Sequence, residues 1–187
     1  MFQLLRDAQP EAEIGCIYEW DGIKYVIDTL STSYQEMVPP SKIYTDEMAK
    51  MSVKYIKEKK PVLGAFIFDN PDHVGHDAGH DTPEYYANLK ELDEYIGQII
   101  QATKDAGIYE NCIFIVTSDH GGIDHGHGGK TLEEINTPFI IAGKGIKKGG
   151  EFQESMMQFD CAPTVLEIFG LEGPQVWVGR SMSQVFE

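Results

Sequence analysis

Apolar and polar positions follow two periods along the chain, and the switches between them mark out short strands and helices. Residues 1–8 carry apolar side chains at 1, 2, 4, 5 and 8, the spacing of a short helix, and Gln9-Pro10 ends it. Residues 14–18 (IGCIY) read as a buried strand. Over residues 20–41 the pattern loosens: Trp20-Asp21-Gly22 suits a turn, and the Ser/Thr-rich run 28–34 reads as loop or cap, since neither strand nor glycine presents its hydroxyls as nucleophiles. Thr45-Asp46 can cap a helix through about Lys57, with Met48, Met51, Val53, Tyr55 and Ile56 on its buried side; the lysines at its end suit the dipole and Pro61 stops it. Residues 62–68 (VLGAFIF) form a continuous apolar run, the type buried on both faces of a parallel sheet. Thr82-Pro83 then starts a helix to about Ala106, with Tyr85, Leu89, Leu92, Ile96, Ile99, Ile100 and Thr103 on one stripe and Gly107 as C-cap. Strands follow at 113–117 and 139–142, then a turn-rich connection at 143–150 and a helix at 159–169 that Gly170 ends.

Strand, helix, strand, loop, strand, helix is the alternation of an α/β fold, and it predicts one domain over residues 1–187 with a mostly parallel sheet. In such sheets ligands bind beyond the carboxyl ends of the strands. Two loops, 69–80 and 118–129, leave strands at that edge, and they hold all six histidines of the chain.

Composition narrows the chemistry. At 187 residues and 42% hydrophobic, the chain is long enough for a real core. No run of apolar residues is long enough to span a membrane, and Arg6, Asp7, Glu11 and Glu13 interrupt the start where a signal peptide would need an unbroken apolar stretch. The net charge of -15 argues against binding a nucleic-acid backbone and repels an anionic substrate at long range, unless bound cations reverse the sign locally. Cys16, Cys112 and Cys161 are odd in number and lack a CxxC, the pattern of buried free thiols.

Asp72 and His76 lie four apart around Val74-Gly75, room for a turn that points both inward. Asp119 and His120 are adjacent at a strand end and can act together only where the chain has left the strand, which Gly121-Gly122 permits. His127 stands between glycines as a further ligand. Carboxylate and neutral imidazole are common partners for zinc and similar metals. His73, His80 and His125 are expected at the surface or behind the ligands.

The run PDxxGHxxG at 71–79 resembles a signature of the alkaline phosphatase superfamily, in its type I phosphodiesterase/nucleotide pyrophosphatase branch. Thr117-Ser118-Asp119-His120-Gly121 resembles that family's second signature, and His127-Gly128 followed by Thr137-Pro138-Phe139 to Gly143 resembles its third. The likeness covers about residues 60–170, in the family's order. It implies a three-layer αβα fold and two divalent metal ions, typically zinc. Asp72, His76 and His127 would hold one; Asp119 and His120, with a further Asp and a Thr or Ser nucleophile, would hold the other. It also implies hydrolysis of a small anionic phosphate ester, with a sulfatase or phosphomonoesterase as the nearest alternative and a non-catalytic metal-binding domain as another. By resemblance the location is periplasmic or extracellular. The family's nucleophile sits on an early strand and the helix after it, and no counterpart precedes Ile14. The expectation is therefore the C-terminal portion of a longer metallohydrolase. Its sheet would be incomplete, its exposed edge open to self-association, and its activity alone negligible.

Overall fold

The computed structural model describes residues 1–38 and 45–187, without the Thr45 side chain. The expected capping hydroxyl of Thr45 therefore lies outside what is described. In chain order the elements are α1 (Phe2–Ala8), β1 (Ile14–Tyr18), β2 (Tyr34–Met37), α2 (Thr45–Lys59), β3 (Leu63–Ile67), α3 (Asp72–Ala78), α4 (Pro83–Asp105), β4 (Ile113–Thr117), α5 (Leu132–Ile135), β5 (Phe139–Gly143) and α6 (Cys161–Ile168). No helix among the described residues is long and apolar enough to cross a membrane.

β1 is the spine. It lies between β2 and β3, parallel to both, and each of its five residues is buried. Side chains alternate across a strand, so Ile14 and Ile17 face opposite ways. Ile17 joins Met48 and Tyr55 of α2 in one cluster, while Ile14 joins Leu5 of α1 and Phe169 beyond α6 in another. Helices thus cover both faces of this sheet, and α4 packs against α2. Cys16, Cys112 and Cys161 are free thiols, and burial pushes Cys16 up to about 12.

β2 went unseen in the pattern because it is a four-residue edge strand of mixed polarity, YQEM, beside the Ser/Thr-rich run. A second difference concerns β5. The strand alternation suggested parallel pairing, but β5 runs antiparallel to β4, with Thr117 opposite Phe139. Its connection leaves the carboxyl end of β4 and re-enters the sheet beside it, so the second histidine loop stays at that end of β4. The run at 62–68 was expected to be buried on both faces, yet β3 is only half-buried against the fully buried β1. Among the described residues β3 has a hydrogen-bonded neighbour on one edge alone, and so has β4.

Gly15 shows how closely α2 sits on the spine. A Cβ there would stand 2.3 Å from the Tyr55 hydroxyl oxygen, and the Tyr55 ring stacks on Tyr34 at 4.8 Å while its hydroxyl donates to Glu13 Oε1 at 2.9 Å. Gly15→Ala must push Tyr55 off this seat, and overpacking of this kind costs about 1–3 kcal/mol. Urea unfolding is expected to show that loss, whereas Tyr55→Phe, which removes only the hydroxyl bond, is expected to cost about 1 kcal/mol.

Candidate metal centre

After β3 the chain passes through residues 68–71 directly into α3. The four-residue interval between Asp72 and His76 is thus one helical turn, not the loop turn expected from Val74-Gly75, and it puts both side chains on one helix face. Asp72 Oδ2 lies 3.2 Å from His76 Nε2, and Asp72 Oδ1 lies 3.7 Å from His127 Nε2. One ligand atom from each of the three residues falls within 4.8 Å of the others.

Proton placement decides what this triangle can do. His76 Nδ1 stands 2.8 Å from the carbonyl oxygen of His125. A carbonyl only accepts, so Nδ1 carries the hydrogen, and a neutral ring presents a bare Nε2 lone pair to the carboxylate. Two acceptors facing each other at 3.2 Å call for a cation between them. Asp72 Oδ1 presses the same demand: it is buried and accepts no hydrogen bond, a state that costs about 1–3 kcal/mol when uncompensated. A tetrahedral metal about 2.1 Å from each donor spaces its ligands about 3.4 Å apart, and the observed 3.2 and 3.7 Å bracket that value. The donor set fits a zinc-like ion.

Asp119 and His120 stand next to this triangle without joining it. β4 ends at Thr117, so both residues have left the strand, as the glycines following them suggested. His120 stacks on His127 with centroids 3.8 Å apart, and its Nδ1 bonds the Gly121 carbonyl at 2.8 Å, which frees Nε2 in turn. Asp119 holds the His120 amide through Oδ1 at 3.0 Å, yet its side chain is 89% exposed. Among the described residues this pair gathers no third acidic, histidine or cysteine donor.

The other histidines divide. His73 is exposed beside Asp77, a surface position. His125 and His80 instead join the two loops: His125 Nδ1 bonds the His76 carbonyl at 3.0 Å, and His80 Nδ1 lies 3.0 Å from the Asp124 carbonyl.

Two carboxylates shape the surroundings without having been singled out in the sequence. Glu19, at the end of β1, accepts the Asp69 amide at 2.7 Å and so ties the spine to the start of the first loop; burial pushes its carboxyl up. Its place just past a strand was the only signal. Glu134 closes a capping box with Thr131 and accepts the Gly129 amide at 2.7 Å, fixing the segment just after His127. Thr131 followed by a glutamate three residues on was a legible sign of that cap. The Gly129 N–H, then the Thr131 hydroxyl, hold the Glu134 carboxyl below the usual range.

Comparison with known proteins places the chain among relatives. The sequence model of one family, described as type I phosphodiesterase / nucleotide pyrophosphatase, matches residues 20–156. The chain is 27% identical over 175 residues to the 2,3-bisphosphoglycerate-independent phosphoglycerate mutase of Acetivibrio thermocellus, an alignment covering 90% of this chain and 32% of that protein. It is 29% identical over 103 residues to ectonucleotide pyrophosphatase/phosphodiesterase family member 5 of Homo sapiens, covering 54% and 21% respectively. Its fold is similar to that of a solved 2-O GAG sulfatase, with a TM-score of 0.72 and 15% identity over 97% of this chain and 55% of the other. The chain thus spans about a third or less of the length of these curated relatives.

Because Glu134 is held in its charged form, its contribution to stability is present above the unfolded-state glutamate pKa of about 4.3 and is lost as pH falls through the lower folded value. Glu134→Gln is expected to speed amide exchange at Gly129 and Thr131 at neutral pH. The difference from the parent protein should narrow as the pH is lowered below about 4. An exchange difference independent of pH would contradict the charged-cap assignment.

Proposed function

The chain belongs to the type I phosphodiesterase / nucleotide pyrophosphatase family, within the alkaline phosphatase superfamily, and from that membership we propose that its two histidine loops form the metal-binding part of a phosphate-ester hydrolase. The buried, unpartnered Asp72 Oδ1, with Nε2 of His127 3.7 Å away, is the observation that carries the reading. Asp72, His76 and His127 hold one divalent cation. Asp119 and His120, stacked beside His127 through the His120 ring, would offer two donors to a second cation. Zinc suits this imidazole and carboxylate set. When bound, such ions offset the negative charge of the phosphoryl group and lower the pKa of the attacking hydroxyl.

The protein's own part is positional. The His125 and Gly121 carbonyls fix the His76 and His120 tautomers, so that both rings offer Nε2 without rearrangement. On a chain of net charge -15, cations at this edge provide the local positive field an anionic ester needs. Three hydroxyls in and beside the two loops are already committed. Thr82 donates to the Gly79 carbonyl, Ser118 to that of His120, and Thr131 to Glu134. None of these three serves as the nucleophile in this reading, and the 187-residue chain by itself binds metal but turns over little.

Titration of the purified chain with zinc is expected to show about one firmly held ion, in the three-donor site. Asp72→Ala combined with His76→Ala should remove it; unchanged stoichiometry would contradict the site. Hydrolysis of a bis-nitrophenyl phosphodiester should stay near background, and brisk turnover abolished by a chelator would show that a hydroxyl of this chain is the nucleophile after all.

A further inference from the structure

His80 lies one residue beyond the PDxxGHxxG motif, and its surroundings are more constrained than those of any other histidine in the two loops. Its side chain is 7% exposed. Its backbone N–H donates to the Asp124 carbonyl at 2.6 Å, and its Nδ1 lies 3.0 Å from the same oxygen. Asp124 sits in a tight turn closed by reciprocal amide–carbonyl bonds between Ile123 and Gly126, and adopts a left-handed φ of 49°, which aspartate tolerates better than most residues. That turn leads directly into His127. The two carbonyls at its tip, of Asp124 and His125, accept from His80 and His76.

The ring of His80 also sets a distance. It fills the space between the two loop backbones: a Cβ on Gly75 would stand 2.4 Å from His80 Nε2, and a Cβ on Gly122 would stand 2.1 Å from it. Gly75 belongs to α3, which carries Asp72 and His76; Gly122 belongs to the loop that carries His120 and His127. Tyr85 of α4 backs the ring at 5.3 Å. Nε2 faces the buried Asp72 Oδ1 at 3.8 Å, too far for a hydrogen bond, so the contact is one of placement.

We propose that His80 is a positioning residue of the metal centre, a spacer that holds the turn before His127 at the separation from α3 at which Asp72, His76 and His127 converge. The proposal rests on the metal-binding reading above. His80 does not ligate the ion; it acts through the Asp124 carbonyl and through the thickness of its ring.

The test is zinc affinity, with the absorption spectrum of the cobalt-substituted protein as the second readout and thermal unfolding of the metal-free protein as the control for folding. His80→Ala is expected to weaken zinc binding about 10–100-fold, the usual effect of removing a group that orients a ligand, and to change the cobalt band shape. Gly122→Ala drives a methyl against the same ring and should weaken binding comparably. The two changes act on one contact and should not add: the double variant should bind no worse than His80→Ala alone. Should His80→Ala fail to fold, His80→Asn carries the test. It keeps a donor in place of Nδ1 but lacks the ring thickness, and should lose about tenfold. Affinity within about twofold of the parent for the folded His80 variants, or full additivity with Gly122→Ala, overturns the proposal. A parent chain that binds no zinc would instead refute the metal-binding reading, whereas loss of zinc in Asp72→Ala with retention in His80→Ala would refute only the role of His80.

Discussion

A carboxylate that faces imidazole nitrogens, with one of its oxygens buried and accepting no hydrogen bond, is the constraint on which this structure turns. Asp72 Oδ1 is buried and unpartnered, and Oδ2 meets a His76 nitrogen whose proton lies on the other side of the ring. Such an arrangement persists in a fold only when something else compensates it. The surrounding hydrogen bonds are spent on orientation: backbone carbonyls take the Nδ1 hydrogens, and the amide of Gly129 and the hydroxyl of Thr131 hold Glu134 behind the loop that carries His127. The donors are left pointing inward with their lone pairs free.

The scaffold explains how the donors meet although the two strands that deliver them belong to different hydrogen-bonded sheets. β3 is anchored to the buried spine β1, and Glu19 ties the end of that spine to the first loop. Among the described residues β4 pairs only with β5, antiparallel. Contact between the two halves at the site runs through hydrogen bonds from His76 and His80 to the turn at 123–126 and from His125 back to the His76 carbonyl, and through rings rather than strands. The separation of the two half-sites is therefore set by side chains in the loops, which is why a spacer such as His80 matters.

Much of this was legible in the sequence, for identifiable reasons. The periods of the apolar residues located α2, β3, α4 and β4 closely, because each is long or strongly patterned, and Thr82-Pro83 marked the start of α4 at its N-cap. The rule that ligands gather at carboxyl ends of strands put both loops in one place. What stayed hidden depended on tertiary contacts. β2 is short and polar. The antiparallel sense of β5 is a property of its connection, not of its residues. Local spacing alone did not reveal the helical form of 72–78, because two of those seven residues are histidine and one is glycine. The inward turn of His80 depends on glycines 75 and 122, whose missing side chains make room for it.

The most direct test is crystallographic: zinc-edge anomalous diffraction from crystals of the chain grown with the metal. The account predicts a dominant peak about 2.0–2.2 Å from a carboxylate oxygen of Asp72 and from Nε2 of both His76 and His127. A peak at the exposed His73 with none among those three residues would contradict it.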